Sequence, residues 1–88
     1  MYEIKYSKIA LKHLENLKAS NLVKKAKILI DIIKNNPFQN PPPYEKLIGC
    51  DKYSRRLNVK HRLVYEVDNV NKTIYVLSMW THYEIKIN

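Results

Sequence analysis

Residues 53–65 read YSRRLNVKHRLVY, and this stretch decides the fold. Residues 53–58 and 61–67 carry the β-branched, aromatic and alternating character of strands, and only Val59 and Lys60 separate them. A link that short makes the two strands antiparallel neighbours. The same stretch holds Arg55, Arg56 and Arg62, all the arginines of the chain, while the other thirteen cations are lysines spread along its length. A guanidinium presents a planar fork of donors suited to phosphate oxygens, whereas an ammonium is a flexible point charge, so phosphate is the first ligand to consider.

Working outward, Asp68 and Asn69 to Asn71 mark a turn, and residues 72–82 form a further strand of an antiparallel meander. In the strand over 61–67, Leu63, Tyr65 and Val67 share a face that can meet helices, which turns Arg62 and Glu66 to a solvent face. In the last strand His82 shares parity with Ile74, Val76, Ser78 and Trp80, and Tyr75, Leu77, Met79 and Tyr83 share the other. Both sets are mostly apolar, so pattern leaves the inward face open. Upstream, PFQNPPPYEKLIGCDK (37–52) holds all four prolines and the single glycine and reads as a long, stiffened functional loop from which Glu45 and Lys46 project.

The amino-terminal third is helical after one short strand. Tyr2, Ile4 and Tyr6 alternate with Glu3 and Lys5 as in a half-buried strand. Ser7 is placed to cap a helix with Ile9, Leu11, Leu14 and Leu17 at helical spacing, on whose polar side His13 should be a solvated surface histidine. Ser20 or Asn21 would cap a second helix with the stripe Val23, Ala26, Leu29, Ile30 and Ile33, ended by Asn35, Asn36 and Pro37. Lys24, Lys25 and Lys27 on its outer turns read as a solvated face.

The chain is 88 residues long, enough for one core. Hydrophobic residues make up 45%, and no apolar run approaches the roughly 20 residues that cross a bilayer. No basic face is joined to a free apolar one, so a membrane partner is not expected. The start, MYEIKYSKIA, lacks the basic-then-apolar run of an export signal, so a cytoplasmic location is expected. Cys50 is the single cysteine and His13, His61 and His82 are widely spaced, which gives no internal disulfide and no zinc pattern. Sixteen basic against eight acidic side chains leave +8, favouring a polyanionic partner.

This layout would gather Glu45, Arg56, Arg62, His82 and Tyr83 at the sheet's open face. Cleavage of RNA through its own 2′-hydroxyl needs a base for that proton, cations for the charge growing on the phosphate, and an acid for the leaving 5′-oxygen. Glu, Arg and His fit those roles without a metal or other cofactor. The alternative is a nucleic-acid- or ribosome-binding module without chemistry, which the charge permits equally.

PPYEKLIG (42–49), YSRRLNVKHRLVYEV (53–67) and the pair His82-Tyr83 resemble, in order and over nearly the whole chain, the YoeB/Txe family of toxins in the RelE superfamily of type II toxin-antitoxin systems. The resemblance implies one RelE-like toxin domain over residues 1–88, of α+β class, with two N-terminal helices packed on one face of a small antiparallel β-sheet. It also implies a ribosome-dependent messenger RNA endonuclease that inhibits translation and is neutralised by an acidic, partly disordered antitoxin of YefM/Axe-like kind; a homodimer is plausible from the resemblance only. Carried over where residues match, Glu45 corresponds to the general base, Arg62 to the transition-state arginine, His82 to the general acid, Tyr83 to a group orienting the phosphate, and Arg56 to an RNA-binding residue. Lys46 or Lys52 would replace a lysine that the family places after the glutamate. Arg55 and His61, of opposite parity to Arg56 and Arg62, are expected to make structural, RNA or ribosomal contacts. Residues 84–88 extend past the His-Tyr pair, where many relatives end. A gyrase-poisoning relative is disfavoured by the complete Glu45, Arg62 and His82 set.

Overall fold

The computed structural model describes residues 1–49 and 51–80. Chain order is β1 (Glu3–Tyr6), α1 (Lys8–Ala19), α2 (Val23–Asn35), β2 (Glu45–Lys46), β3 (Lys52–Arg56), β4 (Arg62–Asp68) and β5 (Thr73–Ser78). The strands form one sheet in the order β1-β5-β4-β3-β2. From β5 to β2 every neighbour is antiparallel, as the short links require, whereas β1 lies parallel to β5 with Ile4 beside Ile74. The α+β class and the helices on one face are as expected from the sequence; the parallel edge strand is an addition.

Ser7 begins α1 by accepting from the Ala10 N–H at 3.0 Å, which satisfies one of the unpaired donors of the first turn. Its own hydroxyl donates to Leu77 O at 2.8 Å, and its backbone N–H donates to Val76 O. One residue therefore joins β1, α1 and β5. The expected cap of α2 is different: Asn21 stands at φ 59° and closes α1, with Asn21 N–H on Lys18 O and Leu22 N–H on Leu17 O. That pairing is the Schellman ending, which Asn tolerates in the left-handed region. The N-cap of α2 is then Leu22, without a side-chain bond.

Both helices lay their small and branched faces on one side of the sheet. Ala10, Leu17, Ala26, Leu29 and Ile33 meet Leu57, Leu63, Tyr65, Ile74, Val76 and Met79, with the stripe of α2 as read from the sequence. α1 is rotated from expectation: Ile9 is 60% and Leu11 51% exposed, and Ala10 is buried. His13 is also turned inward, its Nδ1 accepting from the Met79 N–H at 3.1 Å. Burial pushes the imidazole below its ordinary value, so His13 is a structural acceptor and not a solvated histidine.

The ambiguity of the last strand comes from a bulge. Tyr65 pairs with Val76 and Val64 with Ser78, which leaves Leu77 unopposed and reverses the alternation after it. Ile74 and Val76 enter the core before the bulge and Met79 after it, so both parities carry apolar residues for one reason. The opposite face is less open than expected at its centre, where Ser54, Val64 and Ser78 are buried.

Candidate active site

The proline segment is not wholly irregular, because β2 within it pairs with the edge of β3: Glu45 lies opposite Ser54 and Lys46 opposite Tyr53. The turn between them closes through Leu47 N–H on Lys52 O, with Gly49 at φ 78°, a value that glycine adopts without cost. On the helix side of the sheet, Phe38, Tyr44, Tyr53 and Tyr65 pack edge-to-face, tilted or stacked with centroids 5.3–6.2 Å apart. Apolar packing thus holds the segment from below while its carboxylate is delivered above.

Alternation along the strands puts Glu45, Ser54, Arg56, Arg62, Lys52 and Glu66 on the face away from the helices. There Arg62 donates through Nη2 to Glu45 Oε1 at 2.9 Å and through Nε to Ser54 Oγ at 2.5 Å. The arginine side chain is 21% exposed and the glutamate 70%. Arg62 is therefore anchored by Ser54, and Glu45 is the more exposed partner on the solvent side. Arg56 sits directly across from Arg62 in the β3–β4 ladder and is exposed. Like charges placed directly opposite destabilise a sheet, and a single carboxylate, paired with Arg62, against two arginines leaves this face positive and open to an anion.

The other sequence candidates separate. Lys52 shares the Glu45 face, opposite Glu66, while Lys46 alternates to the other side with Tyr53, so Lys52 is the better placed of the two lysines. Arg55 leaves the phosphate-binding set: it is 0% exposed, and its guanidinium donates to Tyr65 Oη, Pro37 O, Gln39 O and Pro42 O. Its parity turns it to the face opposite Arg56 and Arg62, and burial makes it structural. His61 precedes β4 in a turn held by Asn58, whose Oδ1 accepts from the Lys60 and His61 N–H groups. Its ring stacks on Trp80 with centroids 3.6 Å apart at 14°. His82, Tyr83, Cys50 and the 84–88 tail lie outside the described residues. Sequence reasoning missed Ser54, whose serine-before-arginine position gives no sign that it anchors an arginine on the next strand.

Residues 10–83 match the family model of the YoeB-like toxin of bacterial type II toxin-antitoxin systems. Among solved structures, the chain is similar to the YoeB/ParE toxin from Agrobacterium tumefaciens, at 26% identity over 92% of this chain and 99% of that one, with a TM-score of 0.83. It is also similar to a chain of the YoeB-YefM complex from Staphylococcus aureus, at 33% identity over 94% and 99% and a TM-score of 0.77. A chain of the E. coli DinJ-YafQ complex, at 17% identity over 99% and 100%, shares the fold with a TM-score of 0.79. No curated protein matches the chain.

Proposed function

Because the chain belongs to the family of YoeB-like toxins of bacterial type II toxin-antitoxin systems, we propose that it is an endoribonuclease that cuts messenger RNA in the ribosomal A site and so stops translation. The observation that carries this reading is the Glu45–Arg62 pair beside Arg56 on the exposed sheet face. A phosphate entering between the two guanidiniums replaces the carboxylate on Arg62 and leaves Glu45 free beside it. Glu45 then takes the proton of the 2′-hydroxyl as that oxygen attacks phosphorus, and Arg62 and Arg56 hold the charge growing on the non-bridging oxygens. His82 donates a proton to the departing 5′-oxygen, giving a 2′,3′-cyclic phosphate and a 5′-hydroxyl, and Tyr83 orients the phosphate.

Lys52 supplies further positive charge along the RNA. We propose residues 1–88 as one toxin domain working in the cytoplasm, neutralised by an acidic antitoxin that the net charge of +8 attracts.

Translating ribosomes incubated with the purified protein, with new RNA ends mapped by primer extension, test this reading. Arg62→Ala and His82→Ala should each reduce cleavage by about 10²-fold or more while circular dichroism stays unchanged. Full cleavage by both variants would refute the assigned roles. Salt-sensitive ribosome binding without new ends from the unmodified protein would make it a binding module.

A further inference from the structure

The triplet Ser54-Arg55-Arg56 divides its work. Ser54 anchors Arg62 and Arg56 faces solvent, while Arg55 is driven to the other side of the sheet and fully buried. Burying a guanidinium is costly, and an apolar side chain of similar size would fill that space at least as favourably. What its charge secures is therefore found in the groups it holds. Nη2 donates to Pro37 O at 3.0 Å and Gln39 O at 2.9 Å, and Nη1 donates to Pro42 O at 2.6 Å. Nε donates to Tyr65 Oη at 3.0 Å, and that hydroxyl donates in turn to Pro37 O at 2.8 Å. Burial pushes the Tyr65 hydroxyl above its ordinary value, against the pull of Arg55, which keeps the proton it donates. The guanidinium carbon also lies 4.9 Å from the centroid of Tyr44. Every acceptor except Tyr65 belongs to one segment, and that segment leads through Tyr44 into Glu45.

We propose that Arg55 is a positioning residue for Glu45. It fixes the carbonyls of residues 37–42, closes Tyr44 over its own plane, and so delivers the Glu45 carboxylate to Arg62. The role rests on the catalytic reading of Glu45. It needs a planar fork, because one ammonium cannot reach carbonyls placed on separate sides of it. A carboxylate misplaced by about 1 Å loses roughly 10²-fold in rate.

The test is a cycle with two readouts, using Arg55→Met, Arg55→Lys and Tyr65→Phe in the full chain. Amide hydrogen exchange should quicken over residues 38–47 in Arg55→Met while α1 and β4 keep their protection; unchanged exchange there overturns the clamp. In ribosome cleavage, Arg55→Met should lower kcat by 10- to 100-fold with little change in KM, and Arg55→Lys should not restore it. In a Glu45→Ala background the same substitution should have no further effect, because there is no carboxylate left to place. An equal loss in both backgrounds, or a full rate in Arg55→Met, overturns the positioning role. If Arg55→Met does not fold, Tyr65→Phe removes only the hydroxyl that ties Arg55 to Pro37. It should slow kcat several-fold with Glu45 present and not without it, and an equal loss in both backgrounds again overturns the role. Should Glu45→Ala itself cleave at the full rate, the catalytic reading of Glu45 fails and the positioning role fails with it, while the exchange data still report whether the clamp exists.

Discussion

His13 accepts a backbone proton, so it must be neutral on Nδ1 for the Met79 N–H to be satisfied. Desolvation holds its folded value below 6.5, so on acidification the unfolded chain takes up the proton first. The contribution is complete above the unfolded value and is lost as pH falls from about 6.5 through the folded value. The thermal midpoint should therefore drop between pH 7.5 and 5.5. His13→Asn, which keeps an acceptor near the Nδ1 position, should flatten that segment when its curve is subtracted from the parent's. Parallel curves would rule out His13 as the source. His13→Ala, which strands a buried N–H, should cost about 1 kcal/mol, or roughly 4–8 °C in Tm for a domain of this size. Nothing near His13 in sequence announces this role, because its partner is 66 residues away. The arginines show the same boundary. Alternation along 53–65 sorted Arg55 from Arg56 and Arg62 by face, yet the carbonyls that occupy Arg55 come from 13 to 18 residues upstream. Local pattern states where a side chain points, and only the folded chain states what meets it.

Elements formed by near neighbours were readable: the stripe of α2, the antiparallel β3–β4 pair, though its link runs over residues 57–61 and not only Val59 and Lys60, and the Asp68 turn, where Oδ1 accepts from the Val70 and Asn71 N–H groups. Those that depend on distant pairing were not. β1 was recognised as a strand, but its parallel place beside β5 joins residues some 70 positions apart, and the bulge at Leu77 hid the inward face of β5 by reversing its parity. The two features meet at Ser7, whose hydroxyl serves the first turn of α1 and the Leu77 carbonyl together. Ser7→Ala should therefore cost more than an ordinary cap, about 1–2 kcal/mol, measured by urea denaturation with an unchanged slope. A loss under about 0.3 kcal/mol would mean that the bulge carbonyl finds another donor and that Ser7 does not join the elements.

For the whole molecule, the question is whether +8 acts as a diffuse attraction or through the site. The lysines of α1 and α2 belong to helices packed on one side of the sheet, whereas Lys52, Arg56 and Arg62 share the opposite face. A short single-stranded RNA held only by that trio neutralises about three phosphates. At roughly 0.7 counterion released for each, log affinity should fall against log salt with a slope near −2, or about 20-fold between 50 and 200 mM. Arg56→Ala should make the slope shallower by about 0.7 while lowering affinity for every sequence alike. Replacing Lys24, Lys25 and Lys27 together should leave this slope where it was, because those ammonium groups extend from α2 and not from the sheet face. A slope steeper than about −4, shared by the triple-lysine variant's loss, would place the RNA across the helices, and Glu45 would then meet no scissile bond.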